Sequence, residues 1–167
     1  DIDAFVTEFQ ANYVPPADDE EDGGAATETV DVDGRSIRYL LRGEGGVPII
    51  LVHGFGGDLN NWLFNHEALA ATRAVYALDL PGHGASSKDV GEGGVAALAA
   101  VVSGFMAALG IDKAHLVGHS LGGAIALSVA LDNADKVASL TLIGSAGLGA
   151  DIDGDYLQGF IAAERRK

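Results

Sequence analysis

The sequence predicts an α/β fold, a mostly parallel sheet with helices on both faces. Short, nearly continuous apolar runs at 47–52, 74–78, 114–117 and 137–143 alternate with helical patterns at 60–71, 93–109 and 121–131. Runs without polar alternation suit strands buried on both faces, and alternation of strand with helix is the pattern of parallel pairing. Each run also ends in a glycine-rich turn. These are His53-Gly54-Phe55-Gly56-Gly57, Asp79-Leu80-Pro81-Gly82-His83-Gly84, Gly118-His119-Ser120-Leu121-Gly122 and Gly144-Ser145-Ala146-Gly147. Ligands of open α/β sheets bind beyond the carboxyl ends of the strands, so the candidate chemistry gathers on one rim.

The elements follow in order. Ile2, Phe5, Val6, Phe9 and Tyr13 place one apolar stripe on a short leader helix, which Pro15-Pro16 ends. The acidic stretch to Gly24 lacks an apolar period and reads as a solvated linker, either a tether to an upstream domain or a frayed terminus. Two alternating strands over 27–41 flank Asp33-Gly34, a dipeptide that tolerates positive φ at both turn positions, so a type I′ hairpin opens the domain. The expected division is leader helix and linker over 1–26, the amino-terminal part of the α/β domain over 27–148, and the start of a lid over 149–167.

With 167 residues and 48% hydrophobic content, the chain can bury one substantial core. It has no cysteine, which removes disulfides and thiolate metal sites. No basic-then-apolar leader opens it, which favours a cytoplasmic location. The longest apolar stretch, 93–109, is broken by small and polar residues and predicts no membrane span. The net charge of −14 argues against nucleic acid and anionic membranes as partners. That charge is local: residues 1–33 hold eleven acids and no Lys or Arg, leaving thirteen acids against ten bases afterwards. The chain begins at Asp1, which suggests processing or excision from a longer polypeptide.

Ser120 is the candidate nucleophile. A serine flanked by glycines between strand and helix fits a nucleophile elbow, a sharp turn that would clash with larger neighbours. The Leu121 amide, at the head of the following helix, is one candidate oxyanion donor, and the helix dipole strengthens it. The second is the Phe55 amide, in the glycine turn after the 47–52 run, where backbone can approach substrate closely. For the base, His53 and His83 suit loop bracing, His119 belongs to the elbow, and His66 and His115 suit surface or helix-packing positions. A triad on this elbow runs serine, acid, histidine, and no histidine follows Ser120. Among later acids, Asp132 and Asp135 close a helix, while Asp151, Asp153, Asp155 and Glu164 lie in the expected lid; none can be assigned. The histidines lack H-x₃-H or H-E-x-x-H spacing, so no metal is expected.

The segments Val52-His53-Gly54-Phe55-Gly56-Gly57, Asp79-Leu80-Pro81-Gly82-His83-Gly84 and Val117-Gly118-His119-Ser120-Leu121-Gly122-Gly123 resemble the three signature turns of the α/β-hydrolase superfamily, in the right order. With the leader and acidic linker, the chain resembles the carboxyl-terminal part of the dihydrolipoyl acetyltransferase component of acetoin dehydrogenase complexes. That resemblance implies a multienzyme complex, a lipoyl group on an upstream domain, a small acyl substrate, and acetyl transfer from lipoamide to coenzyme A. No cofactor is expected to bind this segment itself.

The superfamily pattern also implies a fold truncated here after the sixth strand, with further strands, lid and catalytic histidine missing. Tyr156, Leu157, Phe160 and Ile161 fit the opening turns of the lid helix. A sheet ending at 137–143 would leave Leu140, Leu142 and Ile143 on an unpaired apolar edge, an aggregation template. The segment alone is therefore not expected to be stable, and without the catalytic histidine it is expected to be inactive. Two alternatives to acyl transfer are a carboxylic ester hydrolase and a non-catalytic scaffold.

Overall fold

A computed structural model describes residues 26–149. The leader helix expected over 2–13 and the lid helix expected around Tyr156–Ile161 lie outside these residues. The chain opens with the predicted hairpin, β1 (Glu28–Val32) and β2 (Arg35–Arg42), closed by Asp33 at φ 50° and Gly34 at φ 81°. The Asp31 carboxylate accepts the Gly34 amide at 3.1 Å and fixes the turn. Strands β3 (Ile49–Val52), β4 (Val75–Leu78), β5 (Ala114–His119) and β6 (Val137–Ile143) follow, with helices α1 (Leu63–Ala70), α2 (Val95–Ala108) and α3 (Leu121–Asp132) between them.

These strands form one six-stranded sheet in the order β1-β2-β4-β3-β5-β6. The hairpin and the β2–β4 pair are antiparallel, and the β4–β3–β5–β6 block is parallel. All four residues of β3 are buried because the strand serves two cores. Ile50 and Val52 pack with Phe105 and Val102 of α2 and Ile125 and Val129 of α3, while Ile49 and Leu51 pack on the other face with Trp62, Val75 and Ala77. This two-sided burial is why the run carries no polar alternation. In α2 the buried positions Leu98, Val101, Val102 and Phe105 recur every three to four residues and form its core-facing stripe.

The chain steps from β3 to β4 on one side and then crosses back to β5 on the other. Val52 pairs with Gly118, so the loops leaving β3 and β5 emerge side by side at a topological switch point. Among the described residues β6 is the outermost strand, with Leu140 and Leu142 half-buried and Ile143 exposed. No helix among the described residues is long and apolar enough to cross a membrane.

Several boundaries differ from the sequence reading, three of them for an identifiable physical reason. The helix expected over 60–71 divides into a 3₁₀ turn, Leu59–Trp62, and α1. The Asp58 carboxylate takes the Asn60 amide and Asp79 takes the Leu59 amide, so side chains satisfy donors that open the turn. Strand β3 starts at Ile49, after Pro48, which has no amide to give a ladder. Strand β5 runs to His119, two residues further than expected, because β6 pairs along it as far as Ile143.

Candidate active site

Ser120 joins β5 directly to α3, and the reversal forces its backbone to φ 51° and ψ −116°. A side chain there is strained, and neighbouring contacts must hold it. The Ser120 amide donates to the Ile143 carbonyl at 3.0 Å. Its carbonyl accepts the Gly123 amide at 3.0 Å and the Ala146 amide at 3.1 Å, so β6 and its loop clamp the turn from both ends. The flanking glycines are steric requirements: a Cβ on Gly118 would strike the Gly122 backbone, and one on Gly122 would strike the Val52 and His53 carbonyls. Ser120 is half-buried, and among the described residues its hydroxyl has no hydrogen-bond partner. The Leu121 amide heads α3, where no carbonyl four residues back belongs to the helix, so it is disposed to receive an anion.

The loop after β3 lies against this turn. A Cβ on Gly54 would meet Ser120 Cβ and His119 Nδ1, each at 3.0 Å. The next residue is Phe55, whose side chain is 41% exposed on the rim. The Gly56 amide donates to His83 Nε2 and the Gly57 amide to the Gly54 carbonyl, both at 3.1 Å. Ser120, Leu121 and Phe55, singled out from the sequence, therefore lie where the loops after β3 and β5 meet.

Beneath the loop sits His53, fully buried. Its Nδ1–H donates to the Gly54 carbonyl at 2.7 Å, and its Nε2 accepts the Leu80 amide at 3.0 Å. Accepting at Nε2 assigns the neutral Nδ1–H tautomer. Burial lowers the His53 pKa from the usual 6.5, against the opposing pull of the Gly54 hydrogen bond. His83 Nε2 accepts the Gly56 amide and its Nδ1–H donates to the Pro81 carbonyl at 3.0 Å. Both rings brace loops, as their glycine surroundings suggested.

The remaining histidines are also placed. His66 is buried, not at the surface, and its Nε2–H donates to the Val75 carbonyl at 2.9 Å, tying α1 to the sheet. His115 shares a 2.7 Å hydrogen bond with Ser139 across β5 and β6. His119 is exposed next to Ser120. Asp132 closes α3, a helix length of roughly 18 Å from Ser120 at 1.5 Å per residue. Asp135, expected to close the same helix, lies beyond its end in the 3₁₀ turn Ala134–Lys136, and Asp151, Asp153, Asp155 and Glu164 lie outside the described residues. Among the described residues no cluster of three or more His, Cys, Asp or Glu side chains could hold a metal ion.

Sequence reasoning missed the role of Asp79. Its fully buried carboxylate accepts the Leu59 and Ala85 amides at 2.8 Å each, with Arg38 Nη1 3.4 Å away. Its carbonyl accepts the Ser86 hydroxyl at 2.7 Å, and that hydroxyl accepts the Arg38 amide. One acid thus joins the turn after β3, the loop after β4 and strand β2. Its position at the end of an apolar strand, ahead of a glycine-rich turn, was the available signal.

The chain was compared with known proteins. Over 167 residues it is 54% identical to the dihydrolipoyllysine-residue acetyltransferase component of the acetoin cleaving system of Pseudomonas putida, covering 99% of this chain and 45% of that protein. The component of the same name from Cupriavidus necator is 44% identical over the same shares. The chain thus spans about half the length of the curated relatives it matches. Among solved structures, a membrane phospholipase A described as a bacterial virulence factor superposes with a TM-score of 0.73 at 36% identity, covering 84% of this chain and 46% of that one. Residues 47–166 match the family described as alpha/beta hydrolase fold. Strand order, elbow and family match agree, and the chain belongs to the α/β-hydrolase fold family.

Proposed function

We propose that Ser120 is the nucleophile of an acyl-transfer site, with the Leu121 and Phe55 amides holding the oxyanion. The observation that carries this reading is the Ser120 backbone, strained at φ 51° at the head of α3 with Gly54 packed against it. The acyl donor in this proposal is an acetyl thioester of a lipoyl group and the acceptor coenzyme A; similarity to proteins named as dihydrolipoyllysine-residue acetyltransferases supports the donor. The lipoyl group would be carried on a separate domain, within a multienzyme complex.

In the proposed reaction, Ser120 Oγ adds to the thioester carbonyl while its proton passes to a base. The carbonyl electron pair moves onto the oxygen facing the two amides, where fixed donors stabilise it without reorganising. Collapse expels the lipoyl thiol and leaves an acetyl ester on Ser120. The coenzyme A thiol gives up its proton and takes the acetyl group, restoring the hydroxyl. Ser120 has no histidine partner among the described residues, and all five histidines of the chain are described. The proton acceptor in this proposal is a histidine outside these 167 residues. The segment by itself should show no measurable turnover, since losing a triad member costs several orders of magnitude.

Similarity to a phospholipase keeps water as an alternative acceptor. The full-length protein, supplied with acetyl-dihydrolipoamide with and without coenzyme A, separates the two. Acetyl-coenzyme A formation lost in Ser120→Ala supports transfer, whereas free acetate at the same rate without coenzyme A supports hydrolysis. Wild-type protein that a fluorophosphonate probe fails to label, with neither product formed, would favour a non-catalytic scaffold.

A further inference from the structure

Two consecutive peptide planes set the direction of the Phe55 amide, and a different imidazole holds each. The first plane contains the Gly54 carbonyl and the Phe55 N–H. Its carbonyl accepts His53 Nδ1–H at 2.7 Å and the Gly57 amide at 3.1 Å. In a planar trans peptide the C=O and N–H point in opposite directions, so a carbonyl pinned onto His53 turns the Phe55 N–H to the other side. The second plane contains the Phe55 carbonyl and the Gly56 N–H, which donates to His83 Nε2 at 3.1 Å. The φ and ψ of Phe55 are the rotations relating these two planes. With both planes held, Phe55 keeps no soft backbone torsion.

The rings are themselves anchored to the loop after β4. His53 Nε2 accepts the Leu80 amide, and His83 Nδ1–H donates to the Pro81 carbonyl, each at 3.0 Å. Their centroids are 5.0 Å apart, and the Phe55 ring stands edge-on to His83 at 6.0 Å. A displacement of His83 would therefore free one of the two planes and the Phe55 ring together.

We infer that His83 is a positioning residue for the reaction at Ser120: by holding the Gly56 amide it fixes the Phe55 amide as an oxyanion donor. The glycine turn after β4 is then part of the oxyanion geometry although it touches no reacting atom. This inference rests on the assignment of Ser120 and Phe55 made above. Misplacing a fixed donor by a fraction of its hydrogen-bond length weakens it in the transition state more than in the ground state, so the cost should fall on kcat rather than KM.

The test uses full-length protein carrying Ser120→Ala, His83→Ala, His83→Gln or His83→Phe. Acetyl-transfer kinetics, the rate of fluorophosphonate labelling and the Gly56 amide resonance in ¹⁵N NMR are measured for each. His83→Ala should lower kcat roughly 10- to 100-fold and slow labelling in parallel. KM should stay within about two-fold, as expected when a transition-state interaction is removed. His83→Gln, which keeps an acceptor for the Gly56 amide, should recover most of the loss and return that resonance toward its wild-type position. His83→Phe keeps the ring packing without the acceptor and should behave like His83→Ala; it carries the comparison if the alanine variant does not fold. Wild-type kcat and labelling in His83→Ala and His83→Phe, with Ser120→Ala inert, would overturn the inference and leave the Ser120 assignment standing. Unchanged labelling and turnover in Ser120→Ala would instead overturn that assignment.

Discussion

The Leu59 amide donates at 2.8 Å to the fully buried carboxylate of Asp79, twenty residues along the chain. This bond and its counterpart from Ala85 join the start of the 3₁₀ turn to the loop after β4. Asp79→Ala leaves two amides and the Arg38 guanidinium without their acceptor. The expected loss is about 3 kcal/mol or more, since hydrogen bonds to a charged group contribute about 1.5–3 kcal/mol each. Urea unfolding of the full-length protein measures it, and Asp79→Asn, which retains one acceptor oxygen, should lose less.

Ser120 sets stability against chemistry. Glycine adopts φ 51° without steric cost, so Ser120→Gly should raise stability by about 1 kcal/mol while abolishing turnover. Ser120→Ala should abolish turnover without that gain, because alanine keeps the Cβ. Thermal unfolding and fluorophosphonate labelling of the two variants provide the comparison.

Gly122 leaves no room for a methyl group between α3 and the end of β3. The obstructing atoms are backbone carbonyls of Val52 and His53, which cannot swing away as a side-chain tip could. Gly122→Ala should therefore cost about 3 kcal/mol, at the upper end for an overpacked site. It should also push the elbow away from the Phe55 loop, so labelling would slow even in molecules that remain folded. Ala124 is also in α3, but its methyl group is already accommodated, and Ala124→Gly should bring only the helix penalty of about 1 kcal/mol.

His53 makes the fold sensitive to acid. Its folded pKa is below the usual 6.5, so below that pH the unfolded chain binds a proton that the folded chain refuses. The stability from neutral His53 is complete above pH 6.5 and declines as pH falls toward the folded pKa, by at most about 1.4 kcal/mol per pH unit. His53→Asn should be less stable at neutral pH, having lost the bond to the Leu80 amide or to the Gly54 carbonyl, yet show a shallower decline between pH 6.5 and 5. Urea midpoints across that range test the difference in slope.

Much of the frame was legible because local chemistry dictates it. Asp33-Gly34 announced its turn, the nearly continuous apolar run at 47–52 announced a strand buried twice, and the small residues around Ser120 announced a close approach of backbones. The placement of β4 between β2 and β3 was not legible from local pattern, since pairing depends on contacts between distant segments. His66 read as a surface or helix-packing residue because one polar side chain on a short helix gives no sign of the Val75 carbonyl waiting beneath it. The role of Asp79 was hard to read for a related reason: it acts on backbone amides from distant parts of the chain, and an amide leaves no mark in a sequence.

The neighbouring exits of β3 and β5 have a consequence for assembly. Ser120 and Phe55 follow different strands and meet only after β3 has paired with β5. No hairpin or isolated βα unit of this chain contains both. Reactivity at the serine should therefore appear late in folding and vanish early in unfolding, making a covalent probe of Ser120 a reporter on whether the centre of the sheet has closed.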